Sequence, residues 1–313
     1  MSDLKRKTKD FGKKYLRNIF ELGQQLGFDI LPRHFYSEIP NIRELKKENV
    51  WKEPHSMTGV NGKELKMQLE FVKECCGEGL QEILQEEDIY LRACSDNGEP
   101  GFGFVESSFL FCFIYTKRPR KIVQIGCGVS TSVILMAIQA AKYDGEIICI
   151  EPYPTDFLKK IHQSGKIKLI TEKCQNVPLE ILTNLGEEGL LFIDSTHTVK
   201  PGSEVNMLIL EVLPRLKPTT YVHFHDIYFP YDYQRGILNR TLFFWNESVL
   251  LHAFLINNQK CLLKVALSML HYACPEEIKK FLPHYNPSPS EFGMELEGFK
   301  GHFPSSAYLQ IID

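Results

Sequence analysis

Five short apolar runs between residues 121 and 224, separated by helical or turn-forming sequence, constrain this chain more than any other feature. They are Lys121–Ile125, Glu146–Ile150, Ile167–Ile170, Leu190–Ile193 and Tyr221–Phe224. Runs this short and this apolar read as strands buried on both faces. The sequence between them leaves room for helical crossovers, which place helices on both sides of a sheet when the strands are parallel. Helical sequence follows Thr131 as far as about Tyr143, and again runs from Ser203, a suitable cap, to Leu216 ahead of Pro218. A doubly wound, mostly parallel seven-stranded α/β domain over residues 105–313 is therefore expected, with Lys260–Leu270 and Ala307–Ile312 as its last strands.

The first 104 residues read as a helical and extended front. Residues 3–17 carry Lys5, Arg6, Lys7, Lys9, Lys13, Lys14 and Arg17, and apolar Leu4, Phe11, Tyr15, Leu16, Ile19 and Phe20 recur at near-helical spacing. Such a helix docks on the body or on a second subunit, so a homodimer is one expectation; a membrane-surface helix is the alternative. Residues 28–60 contain Pro32, Pro40 and Pro54 and read as extended and irregular, whereas residues 62–93 return to helical periodicity. After Gly98, Gly101 and Gly103, Ser107–Thr116 is an apolar helix stopped by Pro119.

Charge narrows the function. Lys plus Arg number 36 and Asp plus Glu 39, a net charge of −3 that is too even for a chain built to wrap nucleic acid. No apolar stretch approaches the length of a membrane span. The opening Met1-Ser2-Asp3-Leu4-Lys5 lacks a secretory pattern, so a cytoplasmic chain is expected. Nine cysteines, an odd count without a C-x-x-C, read as reduced core thiols; a redox role for the adjacent Cys75-Cys76 has no support nearby.

Sheets of this kind bind ligands beyond the carboxyl ends of their strands. The segments at those places are Gly126–Ser132, Glu151–Pro154, Glu172–Asn176, Asp194–His197 and His225–Ile227, where acidic and His residues gather. Gly126-Cys127-Gly128 lets the backbone turn sharply and approach a ligand. Glu151 ends the next strand, where a carboxylate accepts hydrogen bonds from ribose hydroxyls. Together they point to an adenosine-containing cofactor. A dinucleotide fingerprint would place a third glycine where Thr131 stands, which argues against a pyrophosphate; S-adenosylmethionine has no phosphate and does not need that glycine.

Val123-Gln-Ile-Gly-Cys-Gly-Val-Ser-Thr131 resembles the first motif of the class I S-adenosylmethionine-dependent methyltransferases. The resemblance continues through Cys149–Pro154, Leu191–His197, Val212–Pro218 and Val222–Ile227, covering about residues 100–260. The subgroup it is most similar to is bacterial and often encoded beside glycan-building genes, and His34–Pro40 is similar to its lead-in segment. The resemblance implies that Gly126 and Gly128 line the methionine part of the cofactor, with Ser130 near its carboxylate and Glu151 on the ribose. Glu106 matches an acidic residue ahead of the first strand in metal-dependent O-methyltransferases. The family's acidic-plus-small pair is replaced by Lys173-Cys174-Gln175, which leaves Gln175 as the cofactor-binding candidate there.

Methyl transfer to a hydroxyl is an in-line displacement that needs alignment and loss of the hydroxyl proton. A divalent cation lowers the hydroxyl pKa. Similarity to metal-dependent O-methyltransferases places Asp194, His225 and Asp226 at the metal positions, for Mg²⁺ or, given an imidazole, Mn²⁺. The alternative gives Asp194 to the cofactor's ammonium and leaves His225 and Asp226 as structural caps. His197 matches the general base, beside Asp194 as the second catalytic candidate, and its ordinary pKa near 6.5 suits that task.

Tyr228, Phe229, Tyr231, Tyr233, Phe243, Phe244 and Trp245, with Arg235 and Arg240, follow the fifth strand and suit a sugar or anionic acceptor, with loop packing as the alternative. The reading is thus an O-methyltransferase acting on a hydroxyl of a sugar, glycan precursor or other small molecule. An NAD-dependent oxidoreductase and a non-catalytic cofactor-binding scaffold are the competing readings.

Overall fold

Alternation decides how the sheet is buried. In each central strand, successive side chains enter opposite cores: Ile122, Ile147, Leu190 and Tyr221 on one face, Val123, Ile148, Leu191 and Val222 on the other. Both faces are apolar, so helices cover both. The computed structural model describes residues 15–86, 88–239, 242–290, 293–296 and 304–313. Residues 3–14 of the basic front and Arg240 lie outside them.

The strands are β1 (Lys121–Ile125), β2 (Glu146–Ile150), β3 (Lys168–Ile170), β4 (Leu190–Ile193), β5 (Tyr221–Phe224), β6 (Cys261–Ala266), the short hairpin β7 (Pro287–Ser290) and β8 (Gly293–Leu296), and β9 (Ala307–Ile311). The main sheet is seven-stranded, in the order β3-β2-β1-β4-β5-β9-β6. Its first five members are parallel, while β9 runs antiparallel between β5 and β6. The expected last strand Lys260–Leu270 ends early, because Leu267–Ala273 turns helical.

Register fixes the site. Ile125 lies opposite both Ile150 and Ile193, and Ile193 lies opposite Phe224, so β1, β2, β4 and β5 finish on one line. The next residues keep the ladder: Gly126 N donates to Ile150 O at 3.2 Å, Asp194 N to Ile125 O at 2.9 Å and His225 N to Ile193 O at 2.9 Å. Gly126, Glu151, Asp194 and His225 therefore form a row along the carboxyl edge. Gln124, polar and fully buried in β1, is satisfied locally by Ser130 Oγ at 2.6 Å and Thr131 Oγ1 at 2.9 Å.

The helical stretch at 62–93 is three helices, α1 (Leu65–Cys75), α2 (Glu78–Glu86) and α3 (Ile89–Asn97). Asp88 caps α3 by accepting from Leu91 N, and Gly98 at φ 85° ends it. The apolar helix is slightly longer than expected, α4 (Phe104–Lys117), and the helix after the glycine turn is α5 (Val129–Ala141). Ser203 caps a helix as expected, accepting from Asn206 N, but that helix winds into wider and then tighter turns before Leu216.

The chain separates into residues 1–49 and 50–313. The expected boundary at 104/105 thus falls inside the second unit, because Phe71, Val72 and Cys75 of α1 share one core with Phe109, Phe113 and Ile114 of α4. In the first unit residues 15–25 are helical, and Asn41 caps a single turn at Ile42–Leu45. All nine cysteines are free, and none is exposed. Burial pushes the thiols of Cys75 and Cys76 up, so this pair is inert rather than redox-poised. Among the described residues no helix is long and apolar enough to cross a membrane.

Candidate active site

Gly126 sits at φ 76°, and a Cβ there would fall 1.8 Å from the carbonyl oxygen of Asp194. Only glycine lets the end of β1 lie this close to the end of β4. One residue on, Cys127 N donates to Glu151 Oε2 at 3.2 Å, and Tyr153 N donates to Glu151 Oε1 at 2.9 Å. The glycine bend and the carboxylate are therefore direct neighbours, and the remaining lone pairs of a partly exposed Glu151 are available to a ligand's hydroxyls. Gly128 packs beside the Asn97 side chain at the start of α5. Ser130 is buried, with its hydroxyl on Gln124. Thr131 is buried too, accepting from Gly128 N at 3.2 Å, so the third-glycine place of a dinucleotide motif is filled by a capping side chain.

Two other expected cofactor residues are engaged elsewhere. Gln175 Nε2 donates to Gly202 O at 2.8 Å and lies 3.3 Å from Glu204 Oε2. Glu106 is 0% exposed and accepts from Ser305 N at 2.9 Å, so it supports the site from behind instead of facing a ligand. Ser305 Oγ in turn donates to Asp226 Oδ1 at 2.9 Å. The chain Glu106–Ser305–Asp226 ties α4 to the end of β5.

The acidic and His residues converge. His197 Nε2 is 3.4 Å from Asp194 Oδ1 and 3.6 Å from Asp226 Oδ2, and its Nδ1 is 2.8 Å from Glu247 Oε2. His225 Nε2 is 3.8 Å from Asp226 Oδ1. His197 and Asp226 both adopt left-handed backbone, at φ 57° and 53°, a strain that collects at functional sites. Burial alone would lower the His197 pKa. Hydrogen bonds that the ring donates to Asp194 and Glu247, with the Asp226 charge nearby, outweigh it and raise the pKa well above the ordinary imidazole value. Burial would raise the Asp194 carboxyl, but the imidazoles of His225 and His197 hold it below its usual value. His223, fully buried on β5, is pushed well below the ordinary value chiefly by desolvation.

Several contributors were not singled out in the sequence. Glu247 opens α6 (Glu247–Leu255) and is 1% exposed. Ser305 lies just ahead of β9, and Phe102, at φ 53°, packs its ring 4.7 Å from that of His225. The only sequence signal for Glu247 was an acidic residue in a helix's first turn. Within the aromatic segment, the Trp245 ring lies 4.9 Å from His197 and stacks on Phe243 at 5.5 Å and 18°. Arg235 sits over the Tyr231 ring at 5.0 Å.

The side chains do not fit the expected cation. Among the described residues no group of three or more His, Cys, Asp or Glu side chains is arranged to hold a metal ion. The place between Asp194 and Asp226 is taken by a nitrogen of His197, and these carboxylates favour the protonated ring, whose positive charge compensates them. Asp226 Oδ1 already accepts from Ser305. Asp194, His225 and Asp226 thus belong to a hydrogen-bonded charge network centred on His197.

Residues 123–227 match a methyltransferase-domain family. An uncharacterized protein of Archaeoglobus fulgidus is 31% identical over 173 residues, which cover 52% of this chain and 77% of that protein. Among solved structures, an SAH-bound methyltransferase of Podospora anserina aligns over 91% of this chain and 100% of its own, at 14% identity and a TM-score of 0.39. The plantazolicin methyltransferase BamL, solved with SAH and a desmethylplantazolicin analogue, aligns over 80% and 98%, at 10% identity and a TM-score of 0.40. Strand order and the matched segment at 123–227, not these distant structures, point to the methyltransferase fold.

Proposed function

The chain belongs to the class I S-adenosylmethionine-dependent methyltransferases, and from that premise we propose that it methylates a hydroxyl of a sugar or another small ring-bearing acceptor. The observation that carries the reading is the join between two halves: Gly126 packs on Asp194, Cys127 bonds Glu151, and His197 stands between Asp194 and Asp226 on the same edge. An adenosyl group held by Glu151 and the glycine bend would direct its methyl toward the ends of β4 and β5.

In the transfer, the acceptor oxygen attacks the methyl carbon, the carbon–sulfur bond breaks with its electron pair going to sulfur, and the hydroxyl proton leaves. His197 takes that proton at Nε2 in its neutral form, while Asp194 and Asp226 stabilise the resulting imidazolium. The same carboxylates raise its basicity, so the neutral form becomes abundant only above the ordinary imidazole range. The activity limb of kcat/KM should accordingly rise with pH above about 6.5, the unperturbed value. Phe243 and Trp245 offer a flat face beside His197, which suits the apolar side of a pyranose or an aromatic alcohol.

Antiparallel β9 between β5 and β6, together with Thr131 in the third-glycine place, disfavours a nicotinamide dinucleotide. The test is transfer of label from methyl-labelled S-adenosylmethionine to hydroxylated glycosides and phenols, with and without EDTA. Labelled ether product that survives EDTA supports the proposal. Loss with EDTA and recovery with Mn²⁺ would put a cation into the reaction, and hydride exchange with NADH would replace the reading.

A further inference from the structure

The first turn of α6 grips the loop that carries His197. Asn246 N and Glu247 N both donate to His197 O, at 3.0 and 3.2 Å. Asn246 Oδ1 accepts from Val199 N at 2.6 Å, and Glu247 Oε1 lies 3.4 Å from Ser195 Oγ. Glu247 Oε2 then meets His197 Nδ1 at 2.8 Å. A carboxylate removed from water this completely is costly unless a strong partner compensates it, and His197 is the titratable partner it has been given.

The other ring nitrogen, Nε2, points to Asp194 and Asp226, on the side where β4 and β5 end. An imidazole that is free to turn would present either nitrogen there. With Nδ1 hydrogen-bonded to Glu247, only Nε2 can face the acceptor, and the ring plane is set against Trp245. We infer that Glu247 is the positioning residue of this enzyme: it fixes the orientation and tautomer of His197 so that Nε2 is the nitrogen that receives the acceptor's proton. The inference rests on the methyl-transfer reading for what Nε2 does, but not for how the ring is held.

Two readouts separate those claims. In protein carrying ¹⁵N-labelled histidine, the His197 ring signals are assigned by their loss in His197→Asn. Observed at a pH above the raised His197 value, where the ring is neutral, the full-length protein should show Nδ1 carrying a hydrogen-bonded, exchange-protected proton. Glu247→Gln should keep that proton on Nδ1 with a weaker bond, since its amide oxygen still accepts, and Glu247→Leu should release the ring into a mixture of tautomers. In the methyl-transfer assay, Glu247→Leu should lower kcat about 100-fold. Its acceptor KM and its affinity for S-adenosylhomocysteine should stay within about twofold, and Glu247→Gln should recover most of kcat. An unchanged ring spectrum in Glu247→Leu, or a wild-type ring with its proton on Nε2 alone, overturns the inference even where methyl transfer is confirmed. Fixed tautomers in a protein that transfers no methyl group would leave the ring geometry standing and remove the methyl-transfer reading. Should Glu247→Leu not fold, Glu247→Gln decides: full loss of kcat with an unchanged ring overturns the role.

Discussion

At the ends of β1 and β2 the groups on offer are mostly main-chain ones: a glycine at φ 76° and the amides of Cys127 and Tyr153 converging on one carboxylate. At the ends of β4 and β5 they are side chains gathered from residues 194–197, 225–226, 245–247 and 305. The first arrangement follows from one strand–turn–helix step and its neighbour. The second exists only once the sheet, α6 and the approach to β9 are assembled. A ligand-binding end made from local backbone can be shared across many acceptors, whereas an end made from distant side chains can be specific to one.

The largest expected effect breaks both ends together. Gly126→Ala places a Cβ against the Asp194 carbonyl at a positive φ, so it should destabilise the fold by about 3 kcal/mol or more and abolish nucleoside binding. A thermal melt and calorimetry that match the native protein would show the two ends to be unlinked. His197→Asn acts on one end alone. It should lower kcat by roughly 10²–10⁴-fold with S-adenosylhomocysteine affinity intact, and an equal loss of affinity would mean that the ends are not separable. Glu151→Ala is its converse, weakening the nucleoside by about 1–3 kcal/mol, as read by titration calorimetry, because charge-assisted hydrogen bonds are lost.

Smaller effects sharpen the contrast. The raised pKa of His197 means that its stabilising contribution is full below about pH 6.5 and fades as pH climbs through the raised value. Asp194, held low, contributes above its unfolded value and loses that contribution only as pH falls through its folded one. The melting-temperature gap between wild type and His197→Asn should therefore be wider at pH 6 than at pH 9, by a few degrees. An equal gap at both would contradict the charge network. Trp245→Ala should raise the acceptor KM roughly fivefold, about 1 kcal/mol of lost ring contact, while sparing nucleoside affinity.

What the sequence made legible follows the same division. Four of the five parallel strands appear at the expected residues, because short apolar runs ended by Gly126, Glu151, Asp194 and His225 carry their own boundaries. Helix boundaries were less legible: 62–93 reads as one period, but Gly77 and the Asp88 cap cut it. Asp194, His197 and Asp226 were visible as strand-end polar residues, and the structure brings them together. Glu106 and Gln175 were visible too, yet their contacts depend on Ser305 and on residues 202–204, which no local pattern announces. Glu247 was hidden because an acidic residue in a helix's first turn is ordinary, and only the folded α6 sets it on His197 Nδ1.

The most direct test is a crystal structure with S-adenosylhomocysteine bound. Both ribose hydroxyls should lie on Glu151, with the sulfur turned toward His197 Nε2 across a gap wide enough for one hydroxyl-bearing carbon. A nucleoside seated away from Glu151, or a sulfur facing away from the Asp194–Asp226 side, would contradict it.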